Sequence, residues 1–182
     1  HIEAYGLIRK TRLKMGYRDT KVSFANHLRV FAPKDPSNPL HCFWASQAER
    51  LFQGSLTEAM CLGRACFPLQ RHPLIIPGRY CDFHAINYYA RSTVSGPADG
   101  VAEGCAVNDL GWEIYPQGIV EAARKVYDLV PRPVWITENG TCDNTDRFRA
   151  RYIAEHLQAL CGSELPVERY YHWCFCDNWE WL

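Results

Sequence analysis

The sequence has 182 residues, of which 47% are hydrophobic and 22% charged, and its 20 basic side chains balance 20 acidic ones. That is chain enough for one ordinary globular core. Zero net charge offers no electrostatic footprint for nucleic acid or an anionic membrane, and no run of about 18 apolar residues or leader pattern suggests a span or a secretory signal.

In chain order, His1 to about Met15 reads as a helix, with Ile2, Tyr5, Leu7 and Ile8 apolar and a basic end before Gly16. Lys21 to Phe31 reads as a strand, and Asp35 to Pro39 as a loop able to cap the next helix. Cys42 to Phe52 is expected to be helical, and a second helix is expected at Ser55, with Glu58 in capping-box position. Asp82 to Tyr89 is a second strand, followed by a Gly/Pro/Asp-rich loop from Ser95 to Gly111 of the kind that often carries function.

The same rhythm follows. Pro116 to Leu129 has helical periodicity, with Pro116 in the favoured first turn. Pro131 and Pro133 precede a strand ending at Glu138; Asp146 to Leu160 is amphipathic, and Arg169 to Phe175 is a last strand. Strand–helix alternation predicts a parallel sheet with helices outside it, whose chemistry collects at strand C-termini. Asn87, Tyr89, Glu138, Trp173 and Glu180 all lie at or just beyond such ends.

Within Val134-Trp135-Ile136-Thr137-Glu138-Asn139-Gly140-Thr141, an apolar run delivers a carboxylate to the mouth of a buried strand. A buried glutamate is costly without a partner. Glu138 is therefore either a strand-end residue paired with an arginine or a reactive group in a site.

The nine cysteines are odd in number and irregularly spaced, which favours reduced thiols in a cytoplasmic protein over a disulfide scaffold. Cys61, Cys66, His72 and Cys81 include ligand types for zinc, but their intervals match no CxxC pattern. Cys174-Phe175-Cys176 is expected to alternate along a strand, its thiols packed as side chains. Neither a metal nor a cofactor is expected. Six Trp, ten Tyr and eight Phe suit a core, and equally the apolar faces of sugar rings.

Ile136-Thr137-Glu138-Asn139-Gly140 resembles the nucleophile motif of the family 1 glycoside hydrolases, the β-glucosidase family. Asp82 to Tyr89 resembles that family's strand ending in Asn-Tyr-Tyr. Gly111 to Gly118 resembles its Gly-Trp-Glu-Ile-x-Pro-Glu-Gly segment, Arg149 to Leu157 its Arg-x-x-Tyr-Leu-x-x-His-Leu helix, and Tyr171 to Trp181 its Phe-His-Trp-Ser-Leu-Leu-Asp-Asn-Phe-Glu-Trp. The resemblance is firm from Asp82 onward and weaker from His1 to Gln70. It implies a partial TIM (β/α)8 barrel, strands five to eight with their helices, so that residues 1–182 form a single incomplete domain. The family's general acid/base sits in a Thr-x-Asn-Glu-Pro motif on strand four, and no Asn-Glu-Pro occurs here.

By this resemblance Glu138 is the nucleophile of a retaining β-glycosidase, Tyr89 orients it, and Asn87 lines the same pocket. Glu180 would bind glycone hydroxyls, Trp173 would stack beneath the sugar, Trp181 would contact it, and Trp112 would be a platform for the aglycone. Packing is the alternative for Tyr89 and Trp112 and the preferred reading for Trp179; His172 is expected to be structural, facing away from Trp173. Retention of Glu180 implies an unphosphorylated β-glucoside or β-galactoside, since a carboxylate repels phosphate. The implied partner is a β-linked glycoside or oligosaccharide. A non-catalytic sugar-binding or structural half-barrel is the alternative, and exposed barrel edges imply self-association.

Overall fold

The computed structural model describes residues 1–73, 75–176 and 178. Glu180 and Trp181, expected to bind sugar, and Trp179 lie outside the described residues.

The chain opens with α1 (Ile2–Lys14), which buries none of its residues. Polar contacts hold it instead: Tyr5 Oη and Arg9 donate to Asp82 at 2.8 and 2.9 Å, and His1 Nε2 meets the Tyr80 carbonyl at 2.7 Å. β1 (Ala25–Pro33) follows, then α2 (Pro39–Glu49), whose first turn is capped by Asn38 accepting from Leu40 N–H at 2.9 Å. Pro39 fits beside that cap because its missing N–H costs nothing there.

No break separates α2 from α3 (Ser55–Leu62). A π-helical turn, Arg50–Gly54, carries the helix through, so Ser55 is an interior residue. Its hydroxyl donates to the Phe67 carbonyl at 2.9 Å, and the capping box expected with Glu58 does not form. The Ser-x-x-Glu spacing was right for a cap, but no helix starts there to be capped.

The remaining elements are β2 (His84–Val94), the two-residue β3 (Asp99–Gly100), α4 (Gly118–Leu129), β4 (Val134–Asn139), α5 (Arg149–Cys161) and β5 (Val167–His172). Strands β1-β2-β4-β5 are hydrogen-bonded in that order and all pairs are parallel, while β3 adds to β2 as an antiparallel hairpin. The expected α/β architecture is present. Pro116 stands before the helical start at Gly118, and the last strand stops at His172, short of the expected Phe175. Cys174 to Cys176 therefore do not alternate in the sheet; Cys174 Sγ meets the Cys176 carbonyl, and Phe175 is fully exposed. Among the described residues, no helix is long and apolar enough to cross a membrane.

One sheet face packs against the helices. Leu28, Ile86, Tyr88, Val134 and Ile136 meet Ile119, Ala122, Ala123 and Val126 of α4 and Leu160 of α5 in one cluster. The α4 positions recur at helical spacing, and its two alanines let the helix lie close to the strands. Gly118 is required at this approach, because a Cβ there would overlap the Tyr88 hydroxyl. That hydroxyl donates to the Tyr115 carbonyl at 2.7 Å. Truncating Ile86 or Ile136 to alanine would cost about 2–5 kcal/mol, the usual range for a large core aliphatic.

Candidate active site

The opposite face of the sheet carries Asn87, Tyr89 and Glu138: alternation with the helix-facing Ile86 and Tyr88 sends the first two there, and a break in register sends Glu138. Along β4, Val134 and Ile136 point into the helix-facing cluster. Strict alternation would send Glu138 the same way. Pairing instead slips: Ile86 faces Ile136, but Asn87 faces Glu138, so Thr137 is an extra residue on β4. The bulge re-aims the carboxylate away from the helices. A second slip between β1 and β2, from Leu28↔Tyr88 to Val30↔Arg91, places an extra residue on β2 immediately after Tyr88. The β4 bulge lies at the C-terminal end of its parallel strand, where such folds keep their chemistry, whereas the β2 bulge lies in mid-strand.

The result is a short hydrogen bond, with Tyr89 Oη donating to Glu138 Oε2 at 2.5 Å. Tyr89 is buried at 8% exposure and Glu138 is half-buried, so the carboxylate keeps an open side. Thr137 Oγ1 donates to Asn87 Oδ1 at 2.6 Å, which fixes Asn87 beside the same strand end. The Trp112 ring lies 6.3 Å from that of Tyr89. Four of the sequence-expected residues, Asn87, Tyr89, Trp112 and Glu138, thus share one region.

Trp173 follows β5 directly, its N–H donating to the Asn139 carbonyl at 2.9 Å. It lines a cleft of about 700 Å³ together with Thr141, Asp143, Arg149, His172 and Cys174. Glu138, Tyr89 and Asn87 do not line that cleft. Because the strand ends at His172, alternation no longer separates the two side chains, and His172 and Trp173 border the same space, against the expectation that they face apart.

The two residues after Glu138 fix its backbone. Asn139 has no exposed surface and spends its amide fully: Nδ2 donates to the Tyr88 carbonyl at 2.8 Å and to Tyr152 Oη at 3.0 Å, and Oδ1 accepts from Tyr170 Oη at 2.8 Å. Tyr152 Oη in turn donates to the Tyr89 carbonyl at 3.1 Å, so α5, β2, β4 and β5 meet at this one side chain. Burial pushes the Tyr152 and Tyr170 phenols up, the latter to about 12, so both remain neutral donors. Gly140 is dictated by closeness, since a Cβ there would overlap the Trp173 carbonyl oxygen.

Two functional candidates escaped the sequence reading. His27 on β1 pairs in register with Asn87, and its ring packs edge-on against Tyr89 and Phe52 at 5.7 and 5.6 Å. Loss of hydration against these rings and the Arg29 cation push its imidazole down, and the Glu138 carboxylate pulls the other way. The available signal was its place between the buried Asn26 and Leu28 at strand period. The second is Glu113, 1% exposed, which accepts from Arg91 Nε at 2.6 Å, Thr93 Oγ1 at 2.7 Å and Ala102 N–H at 2.6 Å. It ties the long loop, and Trp112 beside it, to β2.

Two features define what the region can do. A carboxylate with one oxygen held by a phenol and one side open can attack an electrophilic carbon, and the neighbouring aromatic surface can receive an apolar ring face. Residues 77–182 match the model of glycosyl hydrolase family 1. A β-galactosidase of Pyrococcus woesei is 26% identical across the whole chain, which covers 42% of that relative. A chloroplastic galactolipid galactosyltransferase of Arabidopsis thaliana is 37% identical over 55% of the chain, equal to 17% of its own length. Among solved structures, a β-glycosidase from Pyrococcus horikoshii superposes with a TM-score of 0.78 at 28% identity, covering 99% of this chain and 44% of that one. A family 1 β-glucosidase from Thermotoga maritima shares the fold, with a TM-score of 0.80 at 22% identity over 46% of its length. The chain thus spans less than half the length of these relatives.

Proposed function

The chain belongs to glycosyl hydrolase family 1, and on that premise we propose that it is part of a retaining β-glycosidase with Glu138 as its nucleophile. The observation that carries this reading is the bulge-directed Glu138 carboxylate held by Tyr89 at 2.5 Å on the face away from the helices. In the reaction, a Glu138 oxygen forms a bond to the anomeric carbon while the bond to the leaving oxygen breaks, and a general acid protonates that oxygen. Water then attacks the same carbon, its proton passes to the same residue acting as base, and Glu138 is released. With no Asn-Glu-Pro in the sequence, the acid/base is proposed to come from outside these 182 residues.

Tyr89 orients the nucleophile and Asn87 lines its pocket. Trp173, Glu180 and Trp181 are proposed to hold the glycone, and Trp112 the aglycone. The carboxylate of Glu180 favours unphosphorylated β-glucosides or β-galactosides, a class in keeping with the names of the β-galactosidase and β-glucosidase relatives. The nine free thiols support a cytoplasmic setting.

An activated 2-fluoro glycoside tests the proposal, because a good leaving group needs little acid assistance. Intact-mass analysis should show one glycosyl adduct on the folded chain, mapped to the peptide containing Glu138 and lost in Glu138→Gln. Folded chain that binds the sugar without forming an adduct would overturn the nucleophile and favour the non-catalytic half-barrel, which the missing Asn-Glu-Pro motif also suggests.

A further inference from the structure

A second constellation lies at the other end of β2. Cys61 ends α3 one residue early, Cys81 precedes β2, and His84 is the first residue of that strand. A ligand atom from each lies within 4.8 Å of the other two, and the three residues are 1%, 0% and 5% exposed. Among the described residues, no other trio of His, Cys, Asp or Glu meets so closely. The site takes two members of the set singled out in the sequence, Cys61 and Cys81, and replaces the others. Cys66 instead meets Glu58 Oε2 at 3.8 Å, and His84 supplies the nitrogen.

Three features favour ligation over simple packing. His84 Nε2 stands 2.7 Å from the Val130 carbonyl oxygen, which can only accept, so Nε2 carries the proton and the Nδ1 lone pair remains available. Ligating histidines are commonly oriented by such a bond from their other nitrogen. The backbone around the sulfurs is fixed as well: Tyr80 N–H donates to the Cys61 carbonyl and Gly78 N–H to that of Leu62, each at 2.9 Å, and His84 N–H donates to Pro133 at 2.8 Å. Finally, Val130, Phe24 and Leu62 form an apolar wall beside the thiols. Two thiolates and a neutral imidazole around zinc(II) sum to zero charge, the state such a wall tolerates; around copper(I) they leave one negative charge, beside the Arg132 cation that acts on both Cys81 and His84.

We infer that Cys61, Cys81 and His84 supply three ligands to one thiophilic d10 metal ion, zinc(II) or copper(I). An S,S,N donor set without carboxylate selects these ions over magnesium or calcium. Binding releases the two thiol protons to solvent, with no change of oxidation state at sulfur. The ion would join α3 to the start of β2 across the intervening loop. This site is independent of the glycosidase reading.

The test is metal analysis of the full chain, reduced, loaded separately with zinc(II) and with copper(I), and dialysed. One ion per chain in either arm is expected, with cobalt(II) substitution giving thiolate-to-metal charge-transfer absorption. Cys61→Ser, Cys81→Ser and His84→Gln should each abolish stoichiometric binding, whereas Cys66→Ser and His72→Gln should retain it. Should the variants fail to fold, protection of Cys61 and Cys81 from alkylation in the loaded wild type, and its loss on chelation, serves instead. Folded wild type that takes up neither ion, or that binds through Cys66 or His72, would overturn the inference.

Discussion

Tyr89 donates its phenolic proton to Glu138 at 2.5 Å from the neighbouring strand, and each strand carries a bulge beside the contact. The β4 bulge brings the carboxylate to the open face, where alternation has already put the phenol, and the β2 bulge begins beside it. Hydrogen bonds to charged groups contribute about 1.5–3 kcal/mol. Tyr89→Phe should therefore slow glycosylation of Glu138 by roughly 10- to 100-fold, measured as the rate of adduct formation. An unchanged rate would leave the phenol a packing residue.

Gly140 and Trp173 make a purely steric prediction. Adding a methyl group at 140 forces the Trp173 carbonyl, and the bond its N–H makes to Asn139, to move. Gly140→Ala should lower stability by about 1–3 kcal/mol, the usual cost of overpacking, read as a fall in the urea midpoint. A midpoint equal to wild type would show that the segment after β5 shifts freely.

Glu113 has a fully buried side chain, while its partner Arg91 is partly exposed. Removing the carboxylate leaves Thr93 and the Ala102 N–H without their acceptor. Glu113→Ala should cost about 3–5 kcal/mol, as for a broken buried pair. It should also release the 101–114 segment, detected as faster proteolysis there.

His156 gives a pH dependence with a definite sign. It is fully buried, donates Nδ1–H to the Tyr152 carbonyl at 2.7 Å, and has no partner at Nε2. Burial pushes its imidazole down from 6.5 to about 4. The folded state thus stays neutral while the unfolded state takes up a proton below about 6.5, so stability falls as pH drops from there toward 4. The loss attributable to this group approaches about 3 kcal/mol, at 1.36 kcal/mol per pH unit of displacement. A urea-midpoint series on wild type and His156→Gln should show the flatter profile in the variant, and parallel profiles would count against this origin.

β1 and β5 end the four-strand path, and Leu7, Leu13, Leu40 and Phe43 are each more than half exposed. Free strand edges and exposed apolar groups promote association. Light scattering on the isolated chain should show mass rising with concentration. A monomer that unfolds cooperatively at every concentration would refute this.

What was legible in the sequence depended on whether its signal was local. The apolar run into Glu138 and the α4 periodicity are short-range, and both elements stand within two residues of where they were read. The bulge at Thr137 belongs to a pairing between strands, so no inspection of Val134 to Thr141 could reveal it. His27 is a single residue that matters only once β1 lies beside β2. Ser55 and Glu58 imitate a helix start because the π turn that keeps α2 and α3 continuous has no comparable sequence mark. The Cys61–Cys81–His84 cluster spans a loop whose path fixes which ligand types meet.

The parallel order β1-β2-β4-β5 also bears on how the chain reaches this state. Leu28 pairs with Tyr88 and Ile86 with Ile136, partners dozens of residues apart, and the hairpin to the short β3 is the local exception. Each ladder must close a long loop before its hydrogen bonds compensate for the lost chain entropy. Refolding from denaturant should accordingly be slow, with β2, bonded on both sides, acquiring protection from amide exchange only when both neighbours have docked.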